Sequence, residues 1–304
     1  MVYSYLQNYE NMAYKQKISP KNLSVKDNVL LLQHPFGGQN RQTMKATIIQ
    51  TDTVWGKLSE NQQNAEMMLR KAPQSDVYIL PEMWSTGFTM TPQTMAEDEA
   101  YSLKYCSLAW MKNMAACLNA AICGSLAIKT DSGEYRNRLY FVRPDGKIDT
   151  YDKGHLFFGA GEARHYKAGN CRCVAEFRGI RFLLTVCYDL RFPIWCRNVD
   201  DYDVMVCTAN WPLSRERAWL TLLTARAIEN QAFVIGANRC GADDICQYGG
   251  ASAIISPYGT VMAQAGNKPE TITQELDIRD LQRFREKFPV LKDRDKEMTF
   301  FEKA

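Results

Sequence analysis

Histidine is scarce in this chain: three residues among 304, His34, His155 and His165. That scarcity argues against a histidine-rich metal site and leaves little room for a histidine-based catalytic dyad. Long apolar runs are missing too. The longest, such as Phe182 to Cys187, fall far short of the ~18 residues a membrane span requires. No basic start followed by an apolar core marks a secretory signal, so the expected compartment is cytoplasmic. Charge of one sign is not in excess, the net formal charge being +3. Such a balance provides no field for gathering nucleic acid or anionic lipid. The ten cysteines form no C-x-x-C pair and no zinc spacing, and they read as reduced thiols rather than a disulfide framework or metal ligands.

Hydrophobic residues make up 46% of the chain, as in an ordinary globular protein. Residues 1–43 end in the turn-rich His34-Pro35-Phe36-Gly37-Gly38-Gln39-Asn40 and read as a weakly structured extension, or as a leader upstream of a natural start at Met44. From Met44 onward strands and helices alternate, and residues 44–304 are expected to form one α/β domain. Ala46 to Gln50, Asp76 to Leu80 and Ala121 to Ile128 read as strands. Ser59, with Gln62 three residues on, reads as the N-cap of a helix carrying Ala65, Met68, Leu69 and Ala72. Leu103, Cys106, Trp110 and Cys117 are expected on one helical stripe. Pro144-Asp145-Gly146 and Arg178-Gly179 mark two hairpins, and a long helix is expected from about Arg215 to Asn230. Arg279 to Lys287 reads as a solvated helix face. No internal repeat or low-complexity tract is visible.

Three polar residues stand immediately beyond apolar strands: Glu82, Lys153 and Cys187. In α/β sheets strand ends hold loops rigidly, and catalytic groups gather there. Each residue alone is unremarkable, since loop carboxylates and lysines are usually solvated and a cysteine ending a buried strand is usually a small core residue. Together they form a working set. A thiol needs a base to become a nucleophile, a carboxylate in a dry pocket is such a base, and an ammonium stabilises negative charge on a carbonyl oxygen. Glu, Lys and Cys therefore suffice for acyl transfer without histidine. The competing idea of a Cys–His dyad is weak, because His155 reads as a structural hydrogen-bonder.

The segments around these residues are Leu80-Pro81-Glu82-Met83-Trp84-Ser85-Thr86-Gly87-Phe88, Tyr151-Asp152-Lys153-Gly154-His155-Leu156-Phe157 and Val186-Cys187-Tyr188-Asp189-Leu190-Arg191-Phe192-Pro193. They resemble, in this order, the three catalytic motifs of the nitrilase superfamily of carbon–nitrogen hydrolases. The resemblance runs from Met44 essentially to the C-terminus. It implies a four-layer αββα sandwich that pairs as a homodimer or higher homo-oligomer, with Glu82 as general base, Lys153 as oxyanion stabiliser and Cys187 as nucleophile. It also implies that the backbone of Tyr188 helps hold the oxyanion. Glu162, in the loop after the lysine, matches the place of a supporting glutamate, against the alternative of an exposed loop carboxylate.

Where nitrilases proper carry Trp-Glu after the nucleophile, this chain has Tyr188-Asp189, a departure that counts against nitrile substrates. The stretch from Cys187 to Pro193 resembles the ω-amidase branch, whose members deamidate 2-oxoglutaramate and 2-oxosuccinamate. His165 to Asn170, Ala209 to Pro212 and Leu222 to Gln231 add to that likeness. A carboxylate on such a substrate calls for a fixed cation, and Arg191 is the candidate; an ion pair with Asp189 or Asp203 is the alternative. Trp211 is the candidate pocket wall. The expected activity is a cofactor-free, metal-free amidase acting on a small molecule. N-carbamoyl amino acids or other linear amides remain as alternative substrates, and an interaction module with a vestigial site is the non-enzymatic alternative.

Overall fold

The computed structural model describes residues 43–295. The extension expected over residues 1–43 lies, apart from Thr43, outside them. Strands of the first sheet are β1 (Thr43–Gln50), β2 (Val77–Ile79), β3 (Glu97–Asp98), β4 (Ala121–Lys129), β5 (Tyr135–Val142), β6 (Ile148–Asp152) and, from the far end of the chain, β15 (Glu270–Asp277). The second sheet holds β7 (Cys173–Phe177), β8 (Ile180–Val186), β9 (Val204–Ala209), β10 (Phe233–Asn238), β13 (Ala253–Ile255) and β14 (Val261–Gln264). A small separate hairpin, β11 (Cys240–Ala242) and β12 (Gln247–Gly249), follows β10. The order is β15-β1-β2-β4-β5-β6 in the first sheet, with β3 on β4, and β14-β13-β10-β9-β8-β7 in the second. At the centre of each sheet the strands are parallel: β1, β2 and β4 in one, β8, β9 and β10 in the other.

The two sheets face each other because their strands alternate. Met44, Ala46 and Ile48 of β1 meet Ile180, Phe182, Leu184 and Val186 of β8 and Val204 and Val206 of β9 in one inter-sheet core. The intervening residues turn outward onto helices. Ile122, Leu126 and Ile128 of β4 pack against helices α1 (Leu58–Lys71) and α3 (Ser107–Leu118). Leu183, Met205, Cys207 and Val234 pack against Trp219, Leu223 and Ala227 of α4 (Glu216–Asn230), which share one helix face. The result is the expected four-layer αββα sandwich. Among the described residues, no helix is long and apolar enough to cross a membrane.

Several local expectations need correction. Helix α1 starts at Leu58 with no side-chain cap, so Ser59 is not its N-cap. Instead Asn61 ties down the entry turn, accepting from the Val54 N–H at 2.8 Å and donating to its carbonyl at 2.7 Å. The single stripe expected through Leu103, Cys106, Trp110 and Cys117 is two helices, α2 (Glu99–Tyr105) and α3, broken at Cys106. The buried carboxylate of Glu97 causes the break. It accepts from the Ser107 N–H at 3.0 Å and from the Ser102 hydroxyl, starting a new helix where the old one would continue. Leu103 and Cys117 are consequently exposed. The final helix, α5 (Ile278–Lys287), is not fully solvated: Arg285 pairs with Asp203 at 3.0 Å and donates to the Tyr202 carbonyl.

At Gly236 on β10, sheet and helix α4 come close together. A methyl group there would lie 2.5 Å from Leu223 Cδ1 and 2.7 Å from the Trp219 ring. Gly236→Ala is therefore expected to destabilise the fold by about 1–3 kcal/mol through overpacking, read as a lower urea midpoint. An unchanged midpoint would mean that α4 moves away freely.

Candidate active site

β2, β6 and β8 run to a common edge, and each delivers one of the residues singled out above. β2 ends at Ile79, and Leu80-Pro81 carries the chain to Glu82, which is fully buried. β6 ends at Asp152, one residue before Lys153, which is 1% exposed. The loop after it folds back to bring in Glu162, also fully buried. The exposed-loop alternative for Glu162 is thereby excluded.

Lys153 Nζ donates to Glu82 Oε1 at 2.9 Å and to both oxygens of Glu162, at 3.1 and 2.9 Å. One ammonium thus sits between two carboxylates with no water-facing surface on any of the three. Burial opposes the charge on Lys153, but the fields of Glu162 and Glu82 outweigh it and hold its pKa well above the ordinary lysine value. Glu162 is shifted upward by burial, with the like charge of Glu82 adding to the effect. Its Oε2 also accepts from the Phe157 N–H at 2.6 Å, which locks the loop in place.

Two asparagines complete the cluster, and neither was singled out from the sequence. Asn137 on β5 donates from Nδ2 to Glu82 Oε1 at 2.7 Å and to Glu162 Oε1 at 3.2 Å. Its amide is oriented by the Ser125 hydroxyl, which donates to Oδ1 at 2.9 Å and accepts from the Met83 N–H. The signal for Asn137 was present in the strand pattern. Leu139 and Phe141 face the inter-sheet core, so a polar residue two places earlier lies on the inward face and needs a partner. Asn210, just past β9, gives its backbone N–H to Glu82 Oε2 at 2.9 Å and its side-chain amide to the Glu82 carbonyl at 2.7 Å. It therefore binds the second sheet to the carboxylate delivered by the first.

Cys187 closes the site from β8. Its backbone lies in the left-handed region, with φ +47°, so the chain turns sharply as the strand ends. Asp189, fully buried, holds the turn. It accepts from the Val186 N–H at 3.0 Å, the Tyr151 hydroxyl at 2.7 Å, and the backbone and ring nitrogens of His155 at 2.8 Å each. His155 is thus a structural partner of Asp189, its ring stacked on Phe192 at 3.7 Å. Burial raises the Cys187 thiol well above its ordinary pKa; Glu82 adds to this, while Lys153 and the Asn210 N–H oppose it. Among the described residues, no group of three or more His, Cys, Asp or Glu is placed to hold a metal ion.

Of the remaining candidates, Tyr188 and Arg191 belong to the short turn that begins at Cys187. Tyr188 sets its ring edge-on to Phe157 and to Phe192, each at 5.2 Å. Arg191 lies over the Trp211 ring, 4.9 Å from its centroid, and pairs with neither Asp189 nor Asp203. Asp189 is committed to the turn, and Asp203 to Arg181 and Arg285, so the ion-pair alternative for Arg191 does not hold. Phe88 stands 5.2 Å from Lys153 Nζ, whereas Trp84 packs into the helix-side core against Trp110.

Comparison with known proteins agrees with this architecture. The family model described as carbon-nitrogen hydrolase matches residues 45–286. The chain is 44% identical over 256 residues to omega-amidase YafV of Escherichia coli (strain K12), covering 83% of this chain and 97% of that protein. It is 35% identical over 263 residues to 2-oxoglutaramate amidase of Bacillus subtilis (strain 168), covering 84% and 100%. Among solved structures, XC1258 from Xanthomonas campestris, a CN-hydrolase superfamily protein with an arsenic adduct in its active site, aligns with a TM-score of 0.80 at 37% identity. That match covers 84% of this chain and 98% of XC1258.

The raised thiol pKa has a measurable consequence. A free cysteine thiol titrates near about 8.5, so its alkylation rate levels off above that pH. Cys187 holds its proton to higher pH, so the rate of its modification by iodoacetamide, followed by peptide mass spectrometry, is expected to keep rising beyond pH 9. A plateau near or below pH 8.5 would contradict the electrostatics of the site.

Proposed function

The chain belongs to the carbon–nitrogen hydrolase family and is an amidase acting on linear amides, and within that class we propose that it is an ω-amidase. Its substrates in this reading are short dicarboxylic acid monoamides, 2-oxoglutaramate and 2-oxosuccinamate, hydrolysed to ammonia and the dicarboxylate. The observation that carries the substrate class is Arg191. Among the described residues no carboxylate pairs with it, and it lies against Trp211 four residues beyond the proposed nucleophile. An unpaired guanidinium in that place suits an amide whose far end is a carboxylate. The names of the relatives in Escherichia coli and Bacillus subtilis point the same way.

Glu82 takes the proton from Cys187, and the thiolate attacks the amide carbon. Lys153 and the backbone N–H of Tyr188 stabilise the oxyanion of the tetrahedral intermediate. Glu82 returns the proton to the departing nitrogen, ammonia leaves, and a thioester remains on Cys187. Water then attacks the thioester, with Glu82 again as base, releasing the acid and the thiol. Burial raises the Cys187 pKa, so forming the thiolate depends on a base at hand, the role given to Glu82. Glu162 and Asn137 keep Lys153 and Glu82 in register. Trp211 walls the pocket. Every step uses side chains and backbone of this chain, with no cofactor. In the same reading the enzyme is cytoplasmic and works as a homodimer or higher homo-oligomer.

Ammonia release from 2-oxoglutaramate and 2-oxosuccinamate tests the proposal. Turnover of at least one is expected, abolished in Cys187→Ala and reduced about 10²–10³-fold or more in Lys153→Ala. Full activity of Cys187→Ala would remove the thioester route, and no turnover of either amide by the native enzyme would remove the ω-amidase assignment.

A further inference from the structure

Two arginines packed beside the turn of Cys187 have no acidic partner among the described residues. Besides Arg191, the exposed Arg215 forms no ion pair among the described residues. Its position is fixed through Trp211, whose indole N–H donates to the Arg215 carbonyl at 2.9 Å. The indole that carries Arg191 on its face is therefore hydrogen-bonded to the backbone of Arg215 at its edge. The Arg215 guanidinium lies over Phe157, 5.3 Å from the ring centroid. Phe157 meets Tyr188 edge-on, and its backbone N–H is held by Glu162 of the buried cluster. Since Tyr188 follows Cys187 and precedes Arg191 in one short turn, the contacts close a ring that returns to that turn. Its two cations are each carried on an aromatic face.

That arrangement suits a particular ligand end. A guanidinium lying over an aromatic ring keeps its in-plane N–H donors free for an acceptor. One such fork satisfies the two oxygens of a carboxylate. A 2-oxo acid presents a third oxygen, the ketone, beside the carboxylate, and one fork does not reach all three. Building on the ω-amidase reading above, we propose that Arg215 is a second substrate-binding cation. It acts opposite Arg191, so that the two guanidinium groups clamp the 2-oxo carboxylate end while the amide points down to Cys187. Arg215 would then set the preference for anionic over neutral amides.

The test compares kcat/KM for 2-oxoglutaramate and for butyramide, a neutral amide, in the native enzyme and three variants. Arg215→Gln is expected to lower kcat/KM for 2-oxoglutaramate about 10–100-fold, the range for losing a charge-assisted hydrogen bond, mostly through KM. Butyramide should lose much less, so the anionic-to-neutral ratio collapses. Arg215→Lys should recover part of the ratio, because the charge remains while the fork is lost. Arg217→Gln removes the same charge from an exposed position two residues along and should leave the ratio unchanged. If Arg215→Gln shifts both substrates equally, or neither, Arg215 is not a substrate-binding residue. A native enzyme showing no preference for the anionic amide would overturn the substrate assignment itself, and this inference with it. A preserved preference with an unmoved variant ratio would overturn Arg215 alone.

Discussion

One buried ammonium holds the centre of this protein together. Lys153 Nζ meets Glu82 and Glu162 within 3.1 Å, in a place where none of the three reaches water. A buried ion pair gives no assurance of stability, because desolvation offsets much of the attraction; removing one member, however, leaves an uncompensated charge and costs about 3–5 kcal/mol. The three side chains arrive from separate strands and a loop, so each constrains the others' backbone. Asn137 and Asn210 extend the constraint, the first within the same sheet and the second across to the other. The relative position of the two sheets at the site is thus set by polar contacts. Elsewhere the sheets meet mainly through apolar packing, with polar ties such as Gln50 to the Ser252 N–H and Gln274 to the Met262 carbonyl.

The cluster also has an odd charge count. Two carboxylates share one ammonium, so burial leaves a surplus of negative charge, consistent with the upward shift of Glu162. The Cys187 thiol beside the cluster is likewise held back from ionising by burial, and the Glu82 carboxylate adds to the effect. The four-layer fold brings the C-terminal ends of β2 and β8 to one edge.

Much of this was legible from residue order. The strands before Glu82 and Cys187 are apolar runs with sharp polar ends, while Lys153 follows the more polar β6. What escaped depended on partners far away in sequence. The helix break at Cys106 comes from Glu97, whose carboxylate is held near Ser107 by the pairing of β3 with β4. Asn61 replaces the expected cap at Ser59 because its partner is the loop carbonyl of Val54. Asn210 matters through Glu82, 128 residues earlier in the chain. The ring of contacts through Arg191 and Arg215 joins loops from both sheets, and no local pattern encodes it.

The left-handed turn at Cys187 carries a last implication. A residue with a side chain pays about 1–2 kcal/mol to sit at such a φ, and glycine is the residue the backbone itself would favour there. The chain keeps a thiol instead, and buries Asp189 beneath it to hold the turn closed. Selection for stability alone would therefore drift this position toward glycine and release Asp189 from its task. With cysteine there, the backbone carries a cost that the most stable sequence for this turn would avoid.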